Sequence, residues 1–382
     1  MATTNTLTGL IPDLYQAMDT VARELTGMIP AVTLNASAER AAKDSKIRSF
    51  VAPASAAEDA TAAQLPPDTG GQAIGTNWLT ISKSKVVPFQ WTGEEQLQVA
   101  PGHGHRAIAQ DQVAQAMRTL VNLVEVDLAA LHIKASRASG AAGTKMFNSG
   151  LGDAANARRI LVDNGAPAGD LQLVMDTYAG ANLRTQVTIP NTSDGGALTL
   201  REQGLLIPLF GMATRESAAI KGVAIGSVSG TLASLVRAAG VTVLTTTADY
   251  SATILPGDIL TFAGDANQYV VASISAAAIT IGAPGLVAGT TTGTKAITVV
   301  ATAVRSMAFH RSAIQLGLRT PAVPAEGDAA DDRITLTDPR TGVAFEFAMY
   351  KQYRRVRYEV GLAWGCEVMK TEFLALALGL AG

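Results

Sequence analysis

The clearest apolar periodicity in the chain lies between His105 and Ser136. Val113, Met117, Leu120, Val124, Leu128 and Leu131 recur at steps of four and three, which predicts one long helix with a single apolar stripe. At about 1.5 Å per residue such a helix runs about 45 Å, well beyond the usual globular helix. Gln110, Arg118, Asn122 and Glu125 are expected on its polar side. A stripe that long needs a broad sheet or a neighbouring subunit to cover it. An earlier helix is predicted over Leu7 to Met28, where Leu10, Leu14, Met18 and Val21 keep helical spacing, Asp13 follows Pro12 as a first-turn acid and Pro30 ends the element. Ala154 to Val162 and Asp176 to Leu183 predict two short helices, with a short buried strand, Leu171 to Met175, between them.

Elsewhere the pattern is extended. From Phe50 the segment APASAAEDATAAQLPPDTGGQAIGT has no apolar period and reads as a long loop. Trp78 to Ile81 and Lys85 to Phe89 then predict the returning strand of a long hairpin arm. Such a loop in a compact domain usually serves a function or meets a partner. Leu198 to Met212 reads as strand and turn. Between Val241 and Val300 short runs of Thr, Val, Ile and Gly alternate, as in VTVLTTT, DILTFAG, QYVVASIS and AITIGAPG. Only Asp249, Asp258, Asp265 and Lys295 are charged in this block, against 16% of the whole chain. Met307 to Ala313 predicts a return strand and turn. Ile334 to Leu336 and Gly342 to Leu362 predict two strands joined by the turn Asp338-Pro339-Arg340-Thr341-Gly342. Cys366 to Leu378 closes the chain as a helix or a final strand. The fold class is therefore α+β, discontinuous, and interrupted by a β-module whose ends are expected to lie close together.

Composition narrows the functional classes. The 382 residues are 48% hydrophobic and 5% aromatic, enough for a sizeable core. No apolar stretch approaches the roughly 20 residues of a membrane span, and MATTNTLTGLIPDLYQ lacks the basic start and apolar run of a signal peptide. Cys366 alone excludes an intrachain disulfide or a thiolate cluster. A net charge of −2 gives no global attraction to nucleic acid or anionic lipid.

No motif supports catalysis. His103-Gly104-His105 has metal-like spacing, but only His132 and His310 remain as histidine partners, so it reads as a loop leading into the long helix. Gly222, Gly226 and Gly230 match neither a dinucleotide fingerprint nor a P-loop and are expected at turns needing positive φ. Ser82-x-x-Lys85 lacks the companions of a Ser-Lys nucleophile. Glu94 and Glu95 adjoin Trp91 but, as neighbours on a strand, would face opposite ways. No catalytic, cofactor-binding or metal-binding residue is assigned, and no cofactor is implied.

Two basic segments are candidate surfaces. Arg40, Lys43, Lys46 and Arg48 form a scaffold- or DNA-facing surface or a solvated loop. Lys351, Arg354, Arg355 and Arg357, interleaved with Tyr350, Tyr353 and Tyr358, suit nucleic-acid stacking or, preferably, cross-strand and intersubunit ion pairing with acids such as Glu346, Glu359 and Glu367.

The order of parts resembles the major capsid proteins of tailed bacteriophages, with the Hong Kong-phage-type capsid fold, and more narrowly the podophage coat-protein branch with an inserted β-domain. The resemblance rests on the helical arm, the extended loop from Phe50 to Gln98, the long helix as a spine, Leu255-Pro-Gly-Asp258-Ile-Leu-Thr-Phe-Ala-Gly264 with Val270 to Ile274 and Ala278 to Ile281, the return Met307 to Ala313, and Gly361-Leu-Ala-Trp-Gly365. It spans nearly the whole chain, although the chain and its insert are shorter than in familiar members. It implies an N-terminal arm over 1–49, an extended loop over 50–100, the spine and peripheral domain over 101–152, a first axial part over 153–221, a small antiparallel β-barrel over 222–304 and return strands over 305–382. It further implies a non-enzymatic subunit that self-assembles into hexamers and pentamers of an icosahedral or prolate shell. That shell would enclose double-stranded DNA without sequence specificity. A scaffolding protein and a portal protein would be partners, with no membrane, and the subunit would be found in the virion capsid after assembly in the host cytoplasm. A phage tail or surface β-structural protein, and a soluble enzyme with a β-insert, are the competing readings. Within the capsid reading, the short arm leaves little room for a removable segment. Mass spectrometry of assembled particles is therefore expected to show an intact N-terminus, and loss of tens of residues would overturn that. Deleting Gly222 to Val304 is expected to give insoluble or misassembled protein.

Overall fold

A computed structural model of the chain describes residues 27–51, 75–99, 104–185, 206–226 apart from 207, 229–232, 237–289, 295–337 and 342–380. The helix expected from Leu7 lies, through Thr26, outside the described residues. The strands in chain order are β1 Thr33–Ala41, β2 Lys46–Val51, β3 Gly75–Thr80, β4 Lys83–Thr92, β5 Arg137–Ser139, β6 Leu171–Met175, β7 Met212–Glu216, β8 Gly222–Val223, β9 Ser229–Leu232 and β10 Val243–Thr245. They continue with β11 Ile259–Phe262, β12 Gln268–Ser275, β13 Ala278–Ile281, β14 Lys295–Val299, β15 Ala303–His310, β16 Ile314–Pro321, β17 Asp332–Thr337, β18 Ala344–Gln352, β19 Arg355–Val368 and β20 Leu374–Gly379. The described helices are α1 Gly93–Val99, α2 Gly104–Ala129, α3 Gly152–Asp163 and α4 Thr177–Thr185.

The fold is α+β. One sheet has the order β1-β16-β19-β18-β17, with β4 along the other side of β19. The second runs β7-β6-β15-β20-β5-β12-β11-β14-β9, with β13 on β12, β10 on β13 and β8 on β15. β6 pairs with both β7 and β15, matching Leu171 to Met212 and Val174 to Met307. The chain segments on either side of the β-block therefore meet on one strand. The segment from Gly342 to Leu362 is two strands rather than one, because β18 turns into β19 at Tyr353-Arg354. Neither residue is a usual turn former, so the turn carries no local signal. The segment from Cys366 to Leu378 ends as a strand: every residue of β20 is buried, the continuous apolar run of a central strand.

The β-block departs from the expected barrel. Its strands run β10-β13-β12-β11-β14-β9, and no pairing closes β9 onto β10 among the described residues. β12 also pairs with β5, matching Tyr269 to Arg137, so the block continues the second sheet. It still buries a cluster of its own, including Leu260, Phe262, Tyr269, Ile279 and Ile297.

The spine α2 carries the predicted stripe. Val113, Met117, Leu120, Val124, Leu128 and Leu131 are all buried, in one cluster with Leu316, Phe345, Phe347 and Trp364 of the first sheet and Met307, Phe309 and Leu376 of the second. Burial of each large side chain contributes about 1.5–3 kcal/mol. Glu125 is the correction: it is not on a solvated face but 7% exposed. Its carboxylate accepts from Met28 N at 3.0 Å, Ile29 N at 2.9 Å and Ser217 Oγ at 2.7 Å.

The predicted hairpin arm splits into two parts. β2 and β3 pair as a separate ribbon, Lys46 to Thr80 and Val51 to Gly75, whereas β4 leaves it to run along β19. The base of the ribbon crosses the first sheet at Gly317 and Gly365, which are cross-strand partners. A Cβ on Gly365 would meet Thr80 O at 1.9 Å, and one on Gly317 would meet Leu79 Cδ2 at 2.7 Å. Gly365 is needed for close approach of backbone to backbone, and Gly317 makes room for the Leu79 side chain.

Gly365→Ala is expected to lift the ribbon base and lower stability by about 1–3 kcal/mol, read by urea unfolding of the purified chain. A second expectation concerns His132, in the 3-10 turn after the spine. Burial, reinforced by Arg305, pushes its pKa down to about 4 despite the Ala129 carbonyl at its Nδ1. As pH falls from the ordinary histidine value towards 4, the unfolded chain takes up a proton that the folded chain refuses. Stability therefore falls through that window and the loss saturates below it. His132→Gln should remove about 2–3 kcal/mol of the decline between pH 7.5 and 4.5 in urea unfolding.

Candidate functional site

The first basic segment does not act as one surface. Arg40 lies near the end of β1, opposite Thr320 of β16. Its Nη1 donates to Pro321 O at 2.8 Å and to Glu346 Oε2 at 2.6 Å. Glu346 is buried, and Arg333 Nε lies 2.7 Å from its other oxygen. Two guanidinium groups thus compensate one buried carboxylate, and Arg40 belongs to the sheet. Lys43 is exposed in the turn after β1. Lys46 and Arg48 alternate with Ile47 along β2, so both project from one face of the ribbon, opposite Thr80 and Trp78. Lys43, Lys46 and Arg48 remain as the exposed basic surface, joined there by Trp78, which is exposed.

The second basic segment gathers at the tip of the β18–β19 hairpin. Lys351 and Val356 face each other, as do Gln352 and Arg355, and Tyr353-Arg354 make the turn. Arg354 has φ 56°, in the left-handed region that favours glycine, and its guanidinium lies 5.9 Å from the Tyr353 ring centroid. Tyr353 is 89% exposed. Arg357 leaves the group, since Nη2 lies 2.5 Å from Glu359 Oε1 within the same strand. The acids expected as partners are occupied inside the subunit: Glu346 by Arg40 and Arg333, Glu359 by Arg357, and Glu367 by Lys134.

Helix α1 forms the other wall of this tip. Glu94 and Glu95 sit in its first turn and not on a strand. Thr92 N donates to Glu95 Oε2 at 2.8 Å and Glu95 N donates to Thr92 Oγ1 at 3.2 Å. This reciprocal pair is a capping box, and its signature, Thr92-x-x-Glu95, stands in the sequence. The Thr92 backbone hydrogen bond holds the Glu95 carboxyl below its usual range. Gly93 N donates to Arg354 O at 3.1 Å and ties α1 to the turn. Trp91 is buried beneath, its Nε1 donating to Gln112 Oε1 at 2.8 Å. Between these parts opens a pocket of about 800 Å³, walled by α1 with exposed Leu97 and by residues 351–356.

The remaining sequence motifs are not brought together. His103 lies outside the described residues and His105 begins α2, whereas His132 ends the spine and His310 caps the 3-10 turn Arg311–Ala313 through Ser312. Among the described residues no group of three His, Cys, Asp or Glu side chains could hold a metal ion. Gly226 has ordinary φ and is needed for contact: its N donates to both Asp258 oxygens, and a Cβ would meet Thr253 O at 1.9 Å. Gly222 and Gly230 lie within β8 and β9 and likewise lack positive φ. Lys85 lies on β4 opposite Leu362, away from any catalytic partner in the described residues.

Because Arg40 holds a buried carboxylate, Arg40→Ala is expected to lower stability by about 1–3 kcal/mol. Lys43→Ala and Lys46→Ala should stay within about 0.5 kcal/mol. Urea unfolding of the three variants side by side tests the separation.

Comparison with family models and with curated proteins returns no match for the chain. Comparison with solved structures returns several. One is from Mycobacterium phage Che8, with 13% identity and a TM-score of 0.45, covering 92% of this chain and 90% of that chain. Another is the capsid structure of the cyanophage P-SCSP1u, with 11% identity and a TM-score of 0.47, covering 93% and 88%. A third is a virus-like particle from Pyrococcus furiosus, with 10% identity and a TM-score of 0.43, covering 95% and 97%.

Proposed function

We propose that this chain is the coat subunit of a closed protein shell and acts by self-association, not by catalysis. The observation that carries the reading is the ribbon β2–β3, which stands apart from both sheets on its glycine saddle. A two-stranded ribbon is marginally stable in water, and here it presents Trp78 and two basic side chains. Such an element gains stability when a neighbouring molecule covers it. The body beneath is suited to hold it: the spine joins two sheets through one core, so a pull on the ribbon is borne by the whole subunit.

In this reading the first sheet with the spine is the peripheral part, and the second sheet with α3 and α4 the axial part. The β-block stiffens the axial sheet through β12 and β5. Hexamers and pentamers, a scaffolding protein, a portal protein and packaged double-stranded DNA complete the assignment, with the virion capsid as its place and the host cytoplasm as the place of assembly. Lys43, Lys46 and Arg48 form the face for scaffold or DNA phosphates.

Sedimentation and negative-stain microscopy of the purified protein test the function. Closed megadalton shells are expected. Fibres or tubes would indicate a tail or surface component, and a small oligomer would indicate an ordinary soluble protein. Charge reversal at Lys43, Lys46 and Arg48 should impair scaffold-dependent assembly; normal assembly would remove their role.

A further inference from the structure

We infer that the basic pocket at the β18–β19 tip receives the acidic β16–β17 loop, residues 322–331, of a second copy of this chain. This deepens the shell reading by naming one contact, and its test is chosen to stand without a shell.

Three cations at the tip lack an ion-pair partner among the described residues: Lys351, Arg354 and Arg355. Arg355 only reaches Gln90 Oε1 at 3.5 Å, and Glu94 is the one acid lining the pocket. Placing Arg354 at φ 56° has a conformational cost that glycine would avoid, so the turn presents a charge at the expense of its own backbone. Beside the cations stand Tyr353 and Leu97, 89% and 76% exposed. Arginine and tyrosine next to an apolar wall are the composition of an interface centre, not of a solvated rim. A volume of about 800 Å³ is in the range of binding clefts.

The same tip carries the complement on its β17 side. The loop before β17 holds Glu326, Asp328 and Asp331, with Asp332 opening the strand, and no base intervenes before Arg333. Asp331 N donates to Met349 O at 2.8 Å, and Asp331 Oδ2 accepts from Lys351 N at 2.5 Å, which holds the loop at the tip end of the sheet. Asp328 is held by Arg333 and by Tyr350 Oη at 3.1 Å. Glu326 is exposed beside a turn in which Gly327 N donates to Pro324 O at 3.0 Å, and the described residues offer it no partner.

Across the tip the strand order is β17-β18-β19-β4. The acidic loop lies on the β17 side of the tip, where Asp331 meets the Lys351 backbone, and the pocket opens between residues 351–356 and α1. Arg333, Tyr350 and the Lys351 backbone hold Asp328 and Asp331 on the β17 side, so within one chain the loop is tethered outside the pocket. A second copy rotated about an axis beyond the tip can supply the loop, and its own pocket then accepts a third. Such a head-to-tail contact closes into a ring when the rotation allows. Complementary charge gives it register, and added salt should weaken it.

The experiment uses the full chain with Cys366→Ser. One preparation carries Arg354→Cys and the other Glu326→Cys. They are mixed under assembly conditions and treated with a short bis-maleimide, and cross-linked heterodimer is read on a denaturing gel. Heterodimer at about tenfold over a control pair of Arg354→Cys and Asp44→Cys, lost in high salt, is expected. Heterodimer no greater than the control would overturn the inference. In a second arm Lys351→Glu with Arg355→Glu should reduce association about tenfold, and adding Glu326→Lys should recover part of it. Absence of recovery would overturn the assignment of the loop as occupant. Cross-linked heterodimer in a preparation that forms no shells would support the contact while sinking the shell reading, so the two failures are distinct.

Discussion

Everything in this subunit is referred to the spine helix, and one carboxylate fixes how the chain is tied to it. Glu125 sits at 7% exposure beside the apolar stripe, where an uncompensated charge would be costly. It accepts three hydrogen bonds, from the backbone that leads into β1 and from Ser217 just after β7. The start of the first sheet and the end of an edge strand of the second are thereby held to the same turn of α2. Gly27 is part of this junction, since a Cβ there would meet Ser217 Cβ at 2.3 Å. Without this anchoring the two sheets would share apolar surface with the helix but no direction, because hydrophobic contact alone is not directional.

Two residues further along the helix the logic repeats at a smaller scale. Asp127 accepts from Trp364 Nε1 at 2.8 Å and from Lys83 Nζ at 2.6 Å. Trp364 is fully buried on β19, and Lys83 begins β4 on its flank. The pair places β4 against β19 and forces the chain to leave the ribbon at Ile81. The ribbon base is then pressed onto Gly317 and Gly365, where the absence of side chains leaves room for Leu79 at the first and for the Thr80 backbone at the second.

Charge is distributed by the same constraint. Basic groups near the core, such as Arg40, Arg137 and Arg333, are spent on internal acids and carbonyls. Lys351, Arg354 and Arg355, which have no ion pair among the described residues, collect at the β18–β19 tip. In the proposed shell, exposed charge at the tip suits contacts that are individually modest and summed over many copies.

The residues show how far sequence alone reaches. The spine stripe, β6, the return at Met307, the Met212 and Met307 flanks of the β-block and the strand alternation of Phe345, Phe347 and Val360 are local periodicities, and periodicity is set by helix and strand geometry. The Thr92-x-x-Glu95 cap was legible too, in a signature that an extended reading of the segment obscured. The tip was legible as a basic cluster but not as a pocket, because Tyr353-Arg354 has no turn chemistry and the tie of α1 to the turn, Gly93 N to Arg354 O, joins residues far apart in the chain. What the tertiary structure decided are pairings between residues far apart in the chain: Glu125 with Met28 and Ser217, Arg40 with Glu346, Arg137 opposite Tyr269, and Gly317 beside Leu79. A polar residue between apolar positions looks solvated until the chain brings donors to it from elsewhere. A charge looks available until its partner arrives from another strand. Local geometry determines the elements; which groups are satisfied inside, and which remain to meet another molecule, depends on contacts that only the folded chain creates.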